Sequence, residues 1–338
     1  MWRKCIAALF SLAFLASASF ASSQDKSQAV LHTVKQHGKW GYIDRSGKVV
    51  VEPQYDFAWD FSDGAARIEV KGKQGYIDKS GKIIVKPDLD YALDFSEGLA
   101  AVGKGKKWGY IDNTGRMVID LHFPESYQTE EGEGWVTEPP SFSEGLAVIV
   151  TSDGTDFIDK TGKVVTHLKG EFITNFSGGL GRIEVDGKYG WIDKRGNVVI
   201  KAQFDNAKKF SAGLAAVEKE GKWSYIDKTG KIVVAPEYDW ASSFSEGLAV
   251  VKLSEKYGYI DKTGKVAIGP RFDDAESFSE GLAVVKLGGR YGYVDKTGKI
   301  VIEPRFLNAT EFLNGLASVD EEGKCGYIDK SGKYIWID

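Results

Sequence analysis

Leu282-Ala-Val-Val-Lys-Leu-Gly-Gly-Arg-Tyr-Gly-Tyr-Val-Asp-Lys-Thr-Gly-Lys-Ile-Val-Ile-Glu-Pro304 reads as three short strands and two turns. Leu282 to Leu287 is β-branched and apolar, Gly288-Gly289 can reverse the chain, and Tyr291 to Asp295 makes a second strand. Asp295-Lys-Thr-Gly298 fits a type I turn, with Asp first and Gly last. Lys299 to Ile302 is a third strand, and Pro304, lacking a backbone donor, is expected to stop it. Glycine every few residues among β-branched and aromatic residues disfavours helix. The expected unit is a three-stranded antiparallel meander.

The same pattern runs along the chain. The turn aspartates are Asp44, Asp78, Asp112, Asp159, Asp193, Asp227, Asp261, Asp295 and Asp329, spaced by 34 residues except for 47 between Asp112 and Asp159. Each is followed three residues later by glycine, and most are followed 17 residues later by the phenylalanine of a Phe-Ser-Glu-Gly-Leu-Ala-like block. This places the bulk of the 40 glycines at turns. One such unit is too small to bury a core alone, so neighbours must share one. The fold class is all-β: a tandem array of nine three-stranded meander repeats. The linkers, such as Arg271 to Phe278, suit a short helical turn or compact loop. The repeats begin and end in phase and nine exceeds the usual four to eight blades. An open superhelical solenoid is therefore expected, with a closed β-propeller-like ring as the alternative.

The N-terminus carries Arg3 and Lys4, then an apolar stretch from Ile6 to Phe20 and small residues around Ala21. This is the pattern of a secretory signal peptide, and the stretch is short for a membrane span. Residues 1–21 are assigned as signal peptide, 22–31 as a linker and 32–338 as a single repeat array. Export to the periplasm or outside the cell follows, with no membrane span in the mature chain. Loss of Arg3 and Lys4 moves the formal net charge from −4 to −6, and no basic face points to nucleic acid. Cys325 is then the only mature cysteine, so stability is expected from packing rather than an internal disulfide.

The long interval holds an acidic, proline-containing insertion between residues 120 and 140. It contains Tyr127, Glu130, Glu131, Glu133 and Trp135. Insertions in repeat arrays map to one face, often a binding face. Trp59 and Trp240 also stand outside the strand pattern, and exposed Trp and Tyr anchor proteins or stack on sugars. These seven residues are the candidate binding residues. Catalytic and metal chemistry finds little support. The four histidines lack ligand spacing, and the aspartates explain themselves as turn formers, usually followed by Lys or Arg, which suits calcium poorly. Cys325 occupies a repeat aromatic position rather than a nucleophile setting. No cofactor is expected.

Lys39-Trp-Gly-Tyr-Ile-Asp44 and Lys107-Trp-Gly-Tyr-Ile-Asp112, with the Phe-Ser-Glu-Gly-Leu-Ala blocks, resemble the WG-repeat family of bacterial proteins over residues 32 to 338. The resemblance implies a binding or interaction module and brings no catalytic residues. Departures from it, such as Gln74, Tyr189 and Cys325 at the Trp position and Ser224 at the glycine, fit packing better than indole chemistry. The expected function is an exported, non-enzymatic scaffold for protein partners. Carbohydrate or cell-wall binding through exposed aromatics is the alternative, and a glycan hydrolase using insertion carboxylates is the third reading.

Overall fold

A computed structural model describes residues 30–337 except 106, 125, 128–134, 137–140, 152–153 and 170–171. The nine meanders are present, as nine blades. Blade 1 is Leu31–Gln36, Lys39–Asp44 and Val49–Tyr55. Blade 2 adds a fourth strand, Phe57–Ala58, before Ala65–Val70, Lys73–Asp78 and Ile83–Leu89. Seven of the nine blade sheets have this four-stranded order, with the two-residue strand at one edge and the third long strand at the other. The linker is thus a short strand and a tight turn; of the two expected forms, it is compact rather than helical. Ser96 and Leu99 exchange backbone hydrogen bonds around Glu97 and Gly98, both at positive φ, as a two-residue hairpin turn requires.

The turn aspartates do what their spacing predicts. Gly47 N–H donates to the Asp44 carbonyl at 3.0 Å, and Gly47 has φ +84°. The Asp44 carboxylate accepts from the Ser46 hydroxyl and from the backbone N–H groups of Ser46 and Lys48. Those bonds, the Ser46 hydroxyl first, hold its carboxyl below the usual range. The carboxylate is committed to the turn.

Proline does not end the third strand. Val49–Tyr55 runs through Pro53, and the ladder slips between Trp40↔Tyr55 and Tyr42↔Val51. This bulge lies over Gly41, where a Cβ would sit 2.4 Å from the Val51 carbonyl oxygen. The Trp-Gly step therefore packs closely under the bulged strand, which favours glycine; Ser224 in blade 6 is buried beneath the same slip and shows that a small side chain can be accommodated. Blade 4 is the counter-case. Asp156 replaces the glycine, no proline follows, and the Asp156↔His167 ladder runs through without a slip at that step.

Each blade is locked to the next through its linker. The ring at the middle-strand Tyr position packs on the phenylalanine of the following linker in all eight joints. Tyr42–Phe61, Tyr110–Phe142 and Tyr293–Phe312 lie 4.9, 5.0 and 4.8 Å apart. Where a hydroxyl is present it can donate into the same linker, as Tyr42 does to the Trp59 carbonyl at 2.7 Å. The linker serine then reaches on: Ser62 Oγ donates to the Phe95 carbonyl, and Ser279 Oγ to that of Phe312. The loop glutamate accepts from the next loop, as Glu280 does from Gly315 N–H at 2.9 Å. Linker edges so joined converge on the inside of the array. The opposite edges carry exposed residues such as Ile83, Val198 and Ile232 and face outward.

The array closes. Tyr327 of blade 9 donates to the Thr33 carbonyl of blade 1 at 2.9 Å. The turn at Gly47 packs against Ile335 as Gly81 packs against Val51 one joint later. The molecule is a nine-bladed β-propeller, so the closed alternative holds and the open superhelix does not. Phase at the two ends was a poor guide because no strand is shared across the seam. Blade 1 has no linker phenylalanine among the described residues, and His32 takes its place. It stands where the other blades carry Ala or Gly, 5.5 Å from the Tyr327 ring, and only 4% exposed.

Two outcomes follow. Gly109→Ala places a Cβ 2.4 Å from the Ile119 carbonyl oxygen and should cost about 1–3 kcal/mol, while Gly269→Ala, with open space, should be neutral or slightly stabilising; urea unfolding checks both. Burial, then the Arg45 charge, lowers the His32 pKa from 6.5 to about 4. The unfolded chain then takes up this proton first, so stability falls as pH drops from about 6.5 to about 4. The expected loss is about 3 kcal/mol, absent from His32→Phe at the same two pH values.

Candidate functional site

The frame repeats, so function must lie where the repeat varies. The residue just before the linker phenylalanine is Asp60, Asp94, Ser141, Asn175, Lys209, Ser243, Ser277 and Glu311 in successive joints. Two residues before it stand Trp59, Lys208 and Glu276 in joints 1, 5 and 7. These side chains sit on the converging inner edge, fixed by the short strand on one side and the buried phenylalanine on the other.

The inner edge is polarised. Asp60 is exposed, yet burial raises its pKa to about 6, with the Asp94 charge adding to the rise. Glu276 is likewise exposed and is raised to about 7, by burial first and then by Glu311 and Asp274. Both observations hold together for side chains that touch water inside a confined space ringed by protein. Burial also raises Glu311. These carboxyls belong to joints 7, 8, 1 and 2, flanking the seam. On the other side of the ring stand Lys208 and Lys209, and burial lowers the Lys209 amine. Sequence reading passed over these residues. Their signal was variability at one column of an otherwise constant repeat, together with sign changes along it.

The candidates singled out from sequence are not assembled into one site. Trp59 lies in the first linker, half-buried, with the Arg67 guanidinium 4.2 Å over its ring and Phe57 at 4.5 Å. Trp240 lies in the sixth linker, half-buried, edge-on to Tyr257 at 6.2 Å and 5.8 Å from the Lys208 amine. Each indole is thus engaged by a cation and a second ring within the fold. In the insertion, Ser126–Tyr127 pairs with Trp135–Val136, which sets Tyr127 opposite Trp135 in a two-stranded ribbon apart from the blades. Glu130, Glu131 and Glu133 lie outside the described residues. Among the described residues no group of three His, Cys, Asp or Glu could hold a metal, and no helix is long and apolar enough to cross a membrane.

The geometry agrees with comparisons to known proteins. The WG containing repeat matches residues 40–73, 75–108, 108–136, 157–189, 189–223, 223–257, 257–291 and 291–325. No curated protein sequence matches the chain. A crystal structure described as the eukaryotic initiation factor superposes with a TM-score of 0.66 at 14% identity, covering 92% of this chain and 96% of that one. The dihydro-heme d1 dehydrogenase NirN gives 0.49 at 14% identity, covering 83% and 75%. BamB from Moraxella catarrhalis gives 0.43 at 10%, covering 89% and 92%. At such identities the likeness concerns the fold. Nine meander blades, seven of them carrying the same middle-strand bulge, and eight tandem matches to the repeat place the chain in the WG containing repeat family.

Proposed function

We propose that this protein is an exported, non-enzymatic scaffold that binds protein partners through the inner edge of its ring and the neighbouring loops. One observation carries the reading: the repeat is held constant where it packs, and its charge varies where the linkers converge, with acids on one arc and lysines on another. Opposite charge on two arcs of one ring orients a docking partner rather than merely attracting it. The basic residues followed by the apolar stretch before Ala21 support export.

Affinity capture from an envelope extract, using the chain purified from residue 22 onward, is the direct test. Specific partners should be retained by the native ring, and the double variant Asp60→Lys with Glu311→Lys should lose at least tenfold of that retention without loss of Tm. An extract that yields no specific partner for the native protein or for its insertion-deleted form counts against the scaffold.

Carbohydrate binding has one observation in its favour, the cross-strand pairing of Tyr127 with Trp135. If it operates, glycan-array signal appears and is lost on Trp135→Ala. An array without signal removes it.

A further inference from the structure

The tight turn that ends each linker carries a glutamate at one recurring position, and that carboxylate makes the same contacts each time. Glu97 accepts from the backbone N–H groups of Glu144 at 2.6 Å and Gly145 at 3.0 Å, both in the next loop, and lies 3.2 Å from the Lys160 amine. Glu144, Glu246 and Glu280 repeat the arrangement with the N–H groups of Gly179, Gly281 and Gly315 and with Lys194, Lys296 and Lys330. Each lysine directly follows a turn aspartate, in the blade after the one that its glutamate's loop enters. One amine and one backbone N–H of a blade are thus capped by the loop before it.

Two consecutive loops lack the acid. Gly178 and Ala212 stand at the glutamate position, and the backbone there is of the same kind, with φ 65° and 54° against 54° at Glu97 and 50° at Glu246. The donors of blades 6 and 7 are kept. A Cβ at Gly178 would lie 3.5 Å from the Lys228 amine, so this lysine reaches its loop as its counterparts do. Lys262 holds the same repeat position one blade on. Among the described residues, neither of these amines, nor the N–H of Gly213 or Gly247, meets an acceptor. All four residues are exposed. Lys208 and Lys209 add positive charge just ahead of Ala212.

We propose that Lys228 with Gly213 N–H, and Lys262 with Gly247 N–H, bind two carboxylates from an acidic segment of a protein partner. The partner then supplies to blades 6 and 7 the cap that glutamate supplies elsewhere in the ring. This inference rests on the scaffold reading and names the chemistry of its partner. The ligand class is defined within the molecule, because the same donors take a carboxylate in blades 4, 5, 8 and 9, as charge-assisted hydrogen bonds. The exposed donors give a single small acid little to hold. Two adjacent sites instead reward a ligand that brings both acids on one chain.

The test titrates the full chain with an acetylated Glu-Gly-Gly-Glu-Gly-Gly-Glu peptide, with its Gln counterpart and with glutarate, following backbone amide resonances. The expected result is saturable binding of the Glu peptide with a Kd on the order of 1 mM, weakened by salt, with shifts at Gly213 and Gly247. The amides of Gly179, Gly281 and Gly315, already bonded to glutamates, should not move. Glutarate and the Gln peptide should bind at least about tenfold more weakly. Gly178→Glu combined with Ala212→Glu rebuilds the arrangement of the other blades, so it should abolish the shifts without lowering Tm. Lys228→Gln combined with Lys262→Gln should weaken the peptide at least about tenfold at unchanged Tm. The proposal is overturned if the Glu peptide does not saturate, if glutarate or the Gln peptide binds as tightly, if the Gly281 and Gly315 amides move as far, or if either double variant binds like the parent. Those failures leave the scaffold reading standing while the native ring still retains a partner from extract; a ring that retains none fails that reading whatever the peptide does.

Discussion

The contact between the middle-strand ring of one blade and the linker phenylalanine of the next carries the architecture. A three-stranded meander exposes two faces and can bury neither alone. The ring–phenylalanine contact couples burial of one blade to placement of its neighbour. The Tyr hydroxyl and the linker serine add direction, because each needs a backbone carbonyl at a fixed place. Variation within the contact is tolerated at a cost that can be located. Trp191 fills the Tyr position and packs on Phe210 at 5.3 Å, yet its indole N–H is buried without a partner. Phe157 in blade 4 keeps the packing and carries no hydroxyl to satisfy.

Much of this was legible from residues alone. Asp-x-x-Gly turns, strand alternation and the 34-residue period each reflect a local rule, and local rules survive in sequence. Tyr42, Tyr76 and Tyr110, all buried, recur with the same 34-residue period. Three features were not. The linker's short strand is only two residues long, below any periodic signal. Pro53 reads as a stop because the pattern gives no sign that Gly41 leaves a hollow for a bulge. Closure depends on the angle between blades, summed over nine joints, and no residue encodes that sum.

The candidate site was less legible still. Aromatic residues outside the pattern drew attention, but Trp59 and Trp240 proved to be packed beneath cations. The informative residues were the ordinary charged ones before each phenylalanine. A single Asp or Lys in a linker reads as solvated surface. Only the ring brings Asp60, Glu276 and Glu311 to one arc and Lys209 to another. Repeats supply their own controls: each blade states what the others omit.

The seam has a consequence for how the chain assembles. Every blade is cut from one continuous stretch, and the joints between blades 1 to 9 link segments a few tens of residues apart. The Tyr327–Thr33 bond, spanning 294 residues, belongs to the one joint that cannot form until the last blade is made. Assembly can therefore follow synthesis blade by blade, with little loop entropy to overcome, until a single late step brings the ends together. His32, held neutral in that last contact, ties completion of the circle to the acidity of the compartment in which it is completed.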